Sequence, residues 1–229
     1  MKKINWNIIH RSLEKWRKDL QDEKEKAGIE KDTAVTTVAQ RFRHDPWAVL
    51  VSTILSLRTK DEVTLAASKR LLAMASNPEK MAKMEVQEVA ALAYPTGFYR
   101  TKANNLKKIA DILIKQYKGN VPTDMEALLA LPNVGRKTAN LVLIEAFDLP
   151  GICVDVHVHR ISNRCGWLCS KTPEETENIL RKILPLKYWK GLNALLVLYG
   201  QNLCRPVSPF CSRCVIVRQC KQIGVEKKR

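Results

Sequence analysis

The stretch LPNVGRKTANLVLIEAF, residues 131–147, decides the fold. Pro132 cannot continue a helix comfortably, Asn133 and Gly135 tolerate positive φ, and Ala139, Val142, Leu143 and Ala146 then recur at helical spacing. The reading is helix, tight hairpin, helix. The second helix opens at a flexible turn with backbone N–H groups that lack an intrahelical acceptor, a geometry suited to a phosphate. An ordinary helix–helix connection uses the same turn.

Outward from this hairpin the chain reads as mostly helical. Trp6, Ile9, Leu13, Trp16 and Leu20 form one apolar stripe with Lys and Glu opposite, so a helix there must dock on something. Gln21 to Lys31 is charged and contains glycine, and reads as a linker. Pro46 to Leu57 (PWAVLVSTILSL) is long enough to be a buried helix. Thr123 with Glu126 predicts a capping box before MEALLAL. Thr172, Pro173 and Glu175 predict an N-cap, first-turn proline and N3 acid before an amphipathic run to Leu184. One segment resists: Ile152, Val154, Val156 and Val158 alternate with Cys153, Asp155 and His157, which by period is a strand. There is no internal repeat.

The 229 residues are 45% hydrophobic and 27% charged, enough for an ordinary core. No stretch approaches the roughly 18 apolar residues of a membrane span, and Met1 to Leu20 is studded with charge, so a cytoplasmic protein without signal or transmembrane segment is expected. Thirty-nine Lys and Arg against 23 Asp and Glu leave +16, which favours a polyanion, nucleic acid first and anionic membrane last. The excess is uneven. Arg100, Lys102, Lys107, Lys108, Lys115 and Lys118 face Asp111 alone, and from Cys204 onward seven basic residues face Glu226 alone. These are two candidate phosphate-binding patches, or two unrelated solvated faces. Seven cysteines, an odd number, argue against a disulfide framework. Four follow the pattern Cys204-x6-Cys211-x2-Cys214-x5-Cys220; four thiolates can hold zinc or a four-iron cluster, and spacing leaves both open. Cys153, Cys165 and Cys169 fall outside it and are expected to be core thiols.

LPNVGRKTAN closely resembles the helix-hairpin-helix motif of DNA glycosylases of the endonuclease III family. The resemblance extends to VDVHVHRISNR (154–164), TGFYRTKANNLKKI (96–109) and ILSLRTKDEV (54–63), so that it covers roughly residues 40 to 222. It implies that Lys137 is the catalytic lysine, attacking sugar C1′, displacing the damaged base and forming a Schiff base before β-elimination. Lys137 would lie in the first turn of the second helix, beside Arg136, where an amine can serve as nucleophile. Asp155 matches the catalytic aspartate, able to steady the developing oxocarbenium charge. Arg58 and Phe98 are the implied fillers of the gap left by an extruded nucleotide, and Asn133, Val134, Gly135 and Arg136 the DNA-contacting hairpin. The cysteine pattern is identical to the family's cluster loop, which implies a [4Fe-4S] cofactor. Two positions depart: Arg58 stands where the family usually has glutamine, and Asn133 where glycine is common. On an extended chain Asp155, His157 and His159 would share one face and suit zinc; the resemblance implies instead a loop entering a helix.

The expected architecture is all-α, in two helical lobes. A helix-hairpin-helix barrel domain spans 35–149, and a [4Fe-4S] cluster domain joins 1–34 to 150–229. A DNA cleft lies between them, Lys137 on one wall and Asp155 on the other. The expected function is a bifunctional DNA N-glycosylase and apurinic/apyrimidinic lyase of base excision repair acting on oxidised pyrimidines. Its expected partner is double-stranded DNA with a damaged base or abasic site, bound by a monomer. A monofunctional mismatch glycosylase is the alternative enzyme, against which Lys137 argues. A non-catalytic iron-sulfur or zinc DNA-binding protein is the alternative of another class.

Overall fold

The computed structural model describes residues 4–26 and 33–229. Its helices are α1 (Trp6–Lys26), α2 (Ala34–Arg41), α3 (Pro46–Ser56), α4 (Asp61–Met74), α5 (Pro78–Lys83), α6 (Val86–Ala93), α7 (Tyr99–Tyr117), α8 (Met125–Leu129), α9 (Arg136–Phe147), α10 (Val156–Cys165), α11 (Pro173–Ile183) and α12 (Trp189–Asn202). Among the described residues there is no strand. Contacts divide the chain into two compact units, Asp32–Gly151, and Met1–Lys31 with Ile152–Arg229, each with its own core.

In the first unit α3 is the central element. Asp45 caps it, its carboxylate accepting from Ala48 N at 2.7 Å, and Pro46 takes the first position, where its missing N–H costs nothing. Every residue from Trp47 to Leu55 is buried, so the helix is enclosed on all sides, by α2, α4, α7 and α9. That burial explains why the segment has no polar face. Helix α9 presses Ala139, Val142 and Leu143 into the same core, as their spacing requires.

In the second unit α1 supplies Ile9 and Leu13 as buried residues, while Trp6 meets Trp167 edge-on at 5.1 Å and Trp16 meets Tyr199 edge-on at 4.8 Å. The stripe therefore has its partners in residues far along the chain; full burial of each aliphatic side chain contributes roughly 1.5–3 kcal/mol. Helix α1 runs on through Lys26 into the segment read as a linker; the rest of that segment, 27–31, lies outside the described residues.

Two helix starts differ from those expected. The cap of α8 is Asp124, whose side chain accepts from Ala127 N at 2.8 Å, and not Thr123. Asp and Thr are both good caps, and the one nearer the first helical residue takes the role. The alternating segment 152–158 is irregular up to Asp155 and helical from Val156, because Asp155 caps α10 and starts a helix inside the apparent period of two. By contrast Thr172 caps α11 as read, accepting from Glu175 N at 3.2 Å, with Glu175 Oε2 accepting from Lys171 N.

Candidate active site

The hairpin is built from residues 130–135. Val134 N donates to Leu131 O at 3.1 Å, and Asn133 holds φ 63°, a left-handed conformation that Asn tolerates better than any residue but glycine. Gly135 is otherwise than expected: it caps α9 in an extended conformation, φ −93° and ψ 175°, which any residue can adopt. A β-carbon there would meet nothing within 4 Å, so the room this glycine leaves is on the outer side of the turn. Val134 turns its side chain into the core and offers the surface only its backbone. Lys137 stands exposed in the first turn of α9, beside half-buried Arg136, whose carbonyl accepts from Asn140 Nδ2 at 3.1 Å.

Asp155 belongs to the other unit. Its half-buried carboxylate is fixed by its capping duty, Oδ1 accepting from the N–H groups of His157 and Val158, both at 2.9 Å. On α10 the two histidines diverge from it. His159 Nδ1 pairs with Thr176 Oγ1 at 2.7 Å, and His157 Nδ1 lies 3.2 Å from Arg160 Nη2. Residues two apart on a helix point in different directions, so the facial triad that an extended chain would make is not formed.

Arg58 and Phe98 come together. Both adopt left-handed backbone conformations, φ 53° and 57°, and the guanidinium carbon of Arg58 lies 5.5 Å from the centroid of the Phe98 ring. Phe98 is 63% exposed, so its ring is not part of the core. Sequence reasoning missed what lies beneath them. Lys102, counted there as a surface cation, is 2% exposed. Its ammonium donates to Leu55 O and Leu57 O, both at 2.7 Å, and to Thr59 Oγ1 at 3.0 Å; burial draws its pKa down to about 8. Lys107 is likewise turned inward, donating to the carbonyls of Ala82 and Met84. No sequence signal marks either, since each partner lies more than 20 residues away. The basic patch on α7 is therefore four exposed cations rather than six, whereas all seven basic residues after Cys204 are exposed.

Cys204, Cys211, Cys214 and Cys220 line one cavity, with Tyr199, Leu203 and Phe210 among its apolar walls. Donors are aimed at three of the sulfurs: Tyr199 Oη at Cys214 Sγ (3.1 Å), Arg164 Nη1 at Cys204 Sγ (3.4 Å) and Gln222 N at Cys220 Sγ (3.3 Å). Burial raises the Cys211 and Cys214 thiols, and Tyr199 is held neutral by its own burial beside Cys214. A hydrogen bond from Cys165 draws Cys220 down. Such donors suit thiolate acceptors, so this donor set and this space fit a four-thiolate cluster. Among the described residues no group of three or more His, Cys, Asp or Glu is arranged to hold a single metal ion. Cys153 and Cys165 are buried as expected, but Cys169 is exposed. No helix of the described residues is long and apolar enough to cross a membrane.

Comparison with known proteins bears on this geometry. Residues 51–186 match the family model described as HhH-GPD superfamily base excision DNA repair protein. Endonuclease III of Thermotoga maritima is 46% identical over 177 residues, covering 77% of this chain and 83% of that protein. Endonuclease III of Escherichia coli (strain K12) is 36% identical, with the same coverage of both. The solved structure of a trapped endonuclease III–DNA covalent intermediate matches with a TM-score of 0.73 at 34% identity, covering 78% of this chain and 84% of that one. A helical fold with its hairpin, the sequence model and these identities converge on one conclusion: the chain belongs to the endonuclease III family of the HhH-GPD superfamily.

Proposed function

We propose that this chain removes oxidised pyrimidines from duplex DNA and then nicks the strand, with Lys137 as nucleophile and Asp155 as its acidic partner. Family membership makes the chain a DNA glycosylase and lyase of base excision repair; the assignment of roles to its residues is the proposal. The observation that carries it is Lys137, exposed in the first turn of α9 directly behind a hairpin whose outer side is kept bare by Gly135.

The chemistry follows from these groups. The Lys137 amine attacks C1′ of an extruded nucleotide, and the C1′–base bond breaks as the base leaves with a proton. Asp155, its carboxylate fixed by the α10 cap, stabilises positive charge on the sugar and accepts a proton from the attacking nitrogen. Ring opening gives an iminium between Lys137 Nζ and C1′. Loss of a C2′ proton expels the 3′ phosphate by β-elimination, and hydrolysis releases the lysine. The N–H groups at the start of α9 and the backbone of Asn133 to Arg136 bind phosphate. Arg58 and Phe98 fill the vacated stack. Cys204, Cys211, Cys214 and Cys220 would hold a [4Fe-4S] cluster, which when bound supplies iron–thiolate bonds that order the loop carrying Arg205, Arg213 and Arg218.

Borohydride trapping tests the assignment. Wild-type protein is expected to become covalently joined to abasic duplex, Lys137→Ala not at all, and Asp155→Asn with an excision rate lowered roughly 100-fold or more. Trapping that survives Lys137→Ala overturns the nucleophile. Base release without trapping by the wild type favours the monofunctional reading.

A further inference from the structure

The two loops that carry Arg58 and Phe98 are separate in sequence and are joined in space at one residue. The backbone N–H of Lys102 donates to Phe98 O at 3.0 Å, while its side-chain ammonium collects Leu55 O, Leu57 O and Thr59 Oγ1. Leu55 and Leu57 lie at the C-terminal end of α3, where the last carbonyls have no intrahelical donor and the helix dipole favours a cation. Thr59 Oγ1 closes the circuit, accepting also from Gly97 N at 3.0 Å. Gly97 is required at this point: a β-carbon there would stand 2.6 Å from Arg58 O. The loops touch backbone to backbone, and the left-handed conformations at Arg58 and Phe98 turn both side chains outward from the contact.

We propose that Lys102 is a positioning residue that fastens the 57–59 and 96–98 loops into a single rigid wedge, so that Arg58 and Phe98 enter a DNA duplex together. The inference rests on the reading of those two side chains as the fillers of an extruded nucleotide's place. Lys102 reaches no DNA itself; it acts through the geometry of two side chains above it. A wedge displaced by a fraction of an ångström fills the stack poorly, and misplacement of this kind costs up to about 100-fold in rate. Chemistry on DNA that has no stack to fill does not need the wedge.

The test compares wild type with Lys102→Met, which keeps the side chain's length and removes its donors, and with Thr59→Val, which removes the bridging hydroxyl at constant volume. Three readings are taken: single-turnover excision of thymine glycol from duplex, borohydride trapping on a single-stranded abasic oligonucleotide, and fluorescence of 2-aminopurine placed opposite the lesion. Lys102→Met is expected to lose roughly 10- to 100-fold in duplex excision and to lose the fluorescence rise, with single-strand trapping near wild type. Thr59→Val follows in the same direction to a smaller degree. Unchanged duplex excision in Lys102→Met overturns the proposal, and so does a parallel loss of duplex and single-strand reactions, which marks a merely structural lysine. If Lys102→Met does not fold, Thr59→Val decides by the same criteria. Hydrogen exchange at amides 57–59 and 97–98 is read alongside, independently of activity. It must quicken in the variants; a wild type that fails to trap abasic DNA rejects the functional reading, and unchanged exchange rejects the fastening.

Discussion

Two regions of this molecule are organised by opposite electrostatic means. Beneath Arg58 and Phe98, one buried ammonium gathers the oxygen acceptors of a helix end and a threonine, and the region is complete in itself. Around the cavity of Cys204, Cys211, Cys214 and Cys220, soft sulfur donors surround a space and Tyr199, Arg164 and Gln222 donate towards them. The proposed [4Fe-4S] cluster would occupy that second arrangement. Positive charge fastens the first region from within the polypeptide, whereas the second would draw it from the proposed cluster.

The largest effect is expected at the thiols. Cys214→Ser should abolish visible absorption by a cluster and strip hydrogen-exchange protection from residues 204–222 while leaving 33–151 protected, because the two cores are separate. Persisting protection in a colourless variant would show that the loop orders itself without a guest. Lys102→Met should destabilise the protein by about 2 kcal/mol at pH 7, since the buried Leu55 carbonyl and the half-buried Leu57 carbonyl lose their donor. The sign with pH is definite. The folded lysine, drawn down to about 8 by burial, releases its proton before the unfolded one, whose pKa is the ordinary 10.5. Between those values the unfolded state holds more protons, so wild-type stability rises with pH relative to Lys102→Met. Urea midpoints of the pair across pH 7–10 measure it, and a gap that narrows contradicts the burial argument.

A finer contrast lies in the two basic segments. Arg218→Ala should lower the slope of log affinity for duplex against log salt by about 1, whereas Lys107→Ala, whose ammonium is spent on Ala82 O and Met84 O, should leave the slope unchanged. Equal slopes would mean that exposure does not separate phosphate contacts from internal staples. The smallest expected effect is at the hairpin. Asn133→Ala should cost about 1 kcal/mol, and Asn133→Gly a few tenths at most in either direction, because only the left-handed backbone is at stake. Thermal unfolding resolves the two.

Much of this was legible in the sequence wherever the controlling interaction is local. The burial of PWAVLVSTILSL, the Thr172 cap and the turn at Asn133 all depend on residues within a few positions of one another. Failures came where two local signals competed or where the partner was distant. Thr123 and Asp124 are both capable caps, and only the backbone's path chooses between them. The alternation at 152–158 is a true period of two that is overruled by the carboxylate of Asp155, which turns the chain into a helix. Lys102 and Lys107 look identical to Lys108 in a string of letters; their inward direction is fixed by carbonyls supplied from other elements. Of the proposed site, the sequence carries the residue types, but the contact of Arg58 with Phe98 emerges only when α3 and α7 are packed.

The placement of α1 has a consequence for biosynthesis. This helix leaves the ribosome before the segment 33–151, yet Trp6, Ile9, Leu13 and Trp16 find Trp167, Leu192, Leu195 and Tyr199 only after the rest has been translated. The hairpin-bearing unit has its own core and can therefore fold while synthesis continues, before α1 has met its partners. A pause in translation between residues 151 and 167 therefore leaves the apolar stripe of α1 without the side chains that cover it.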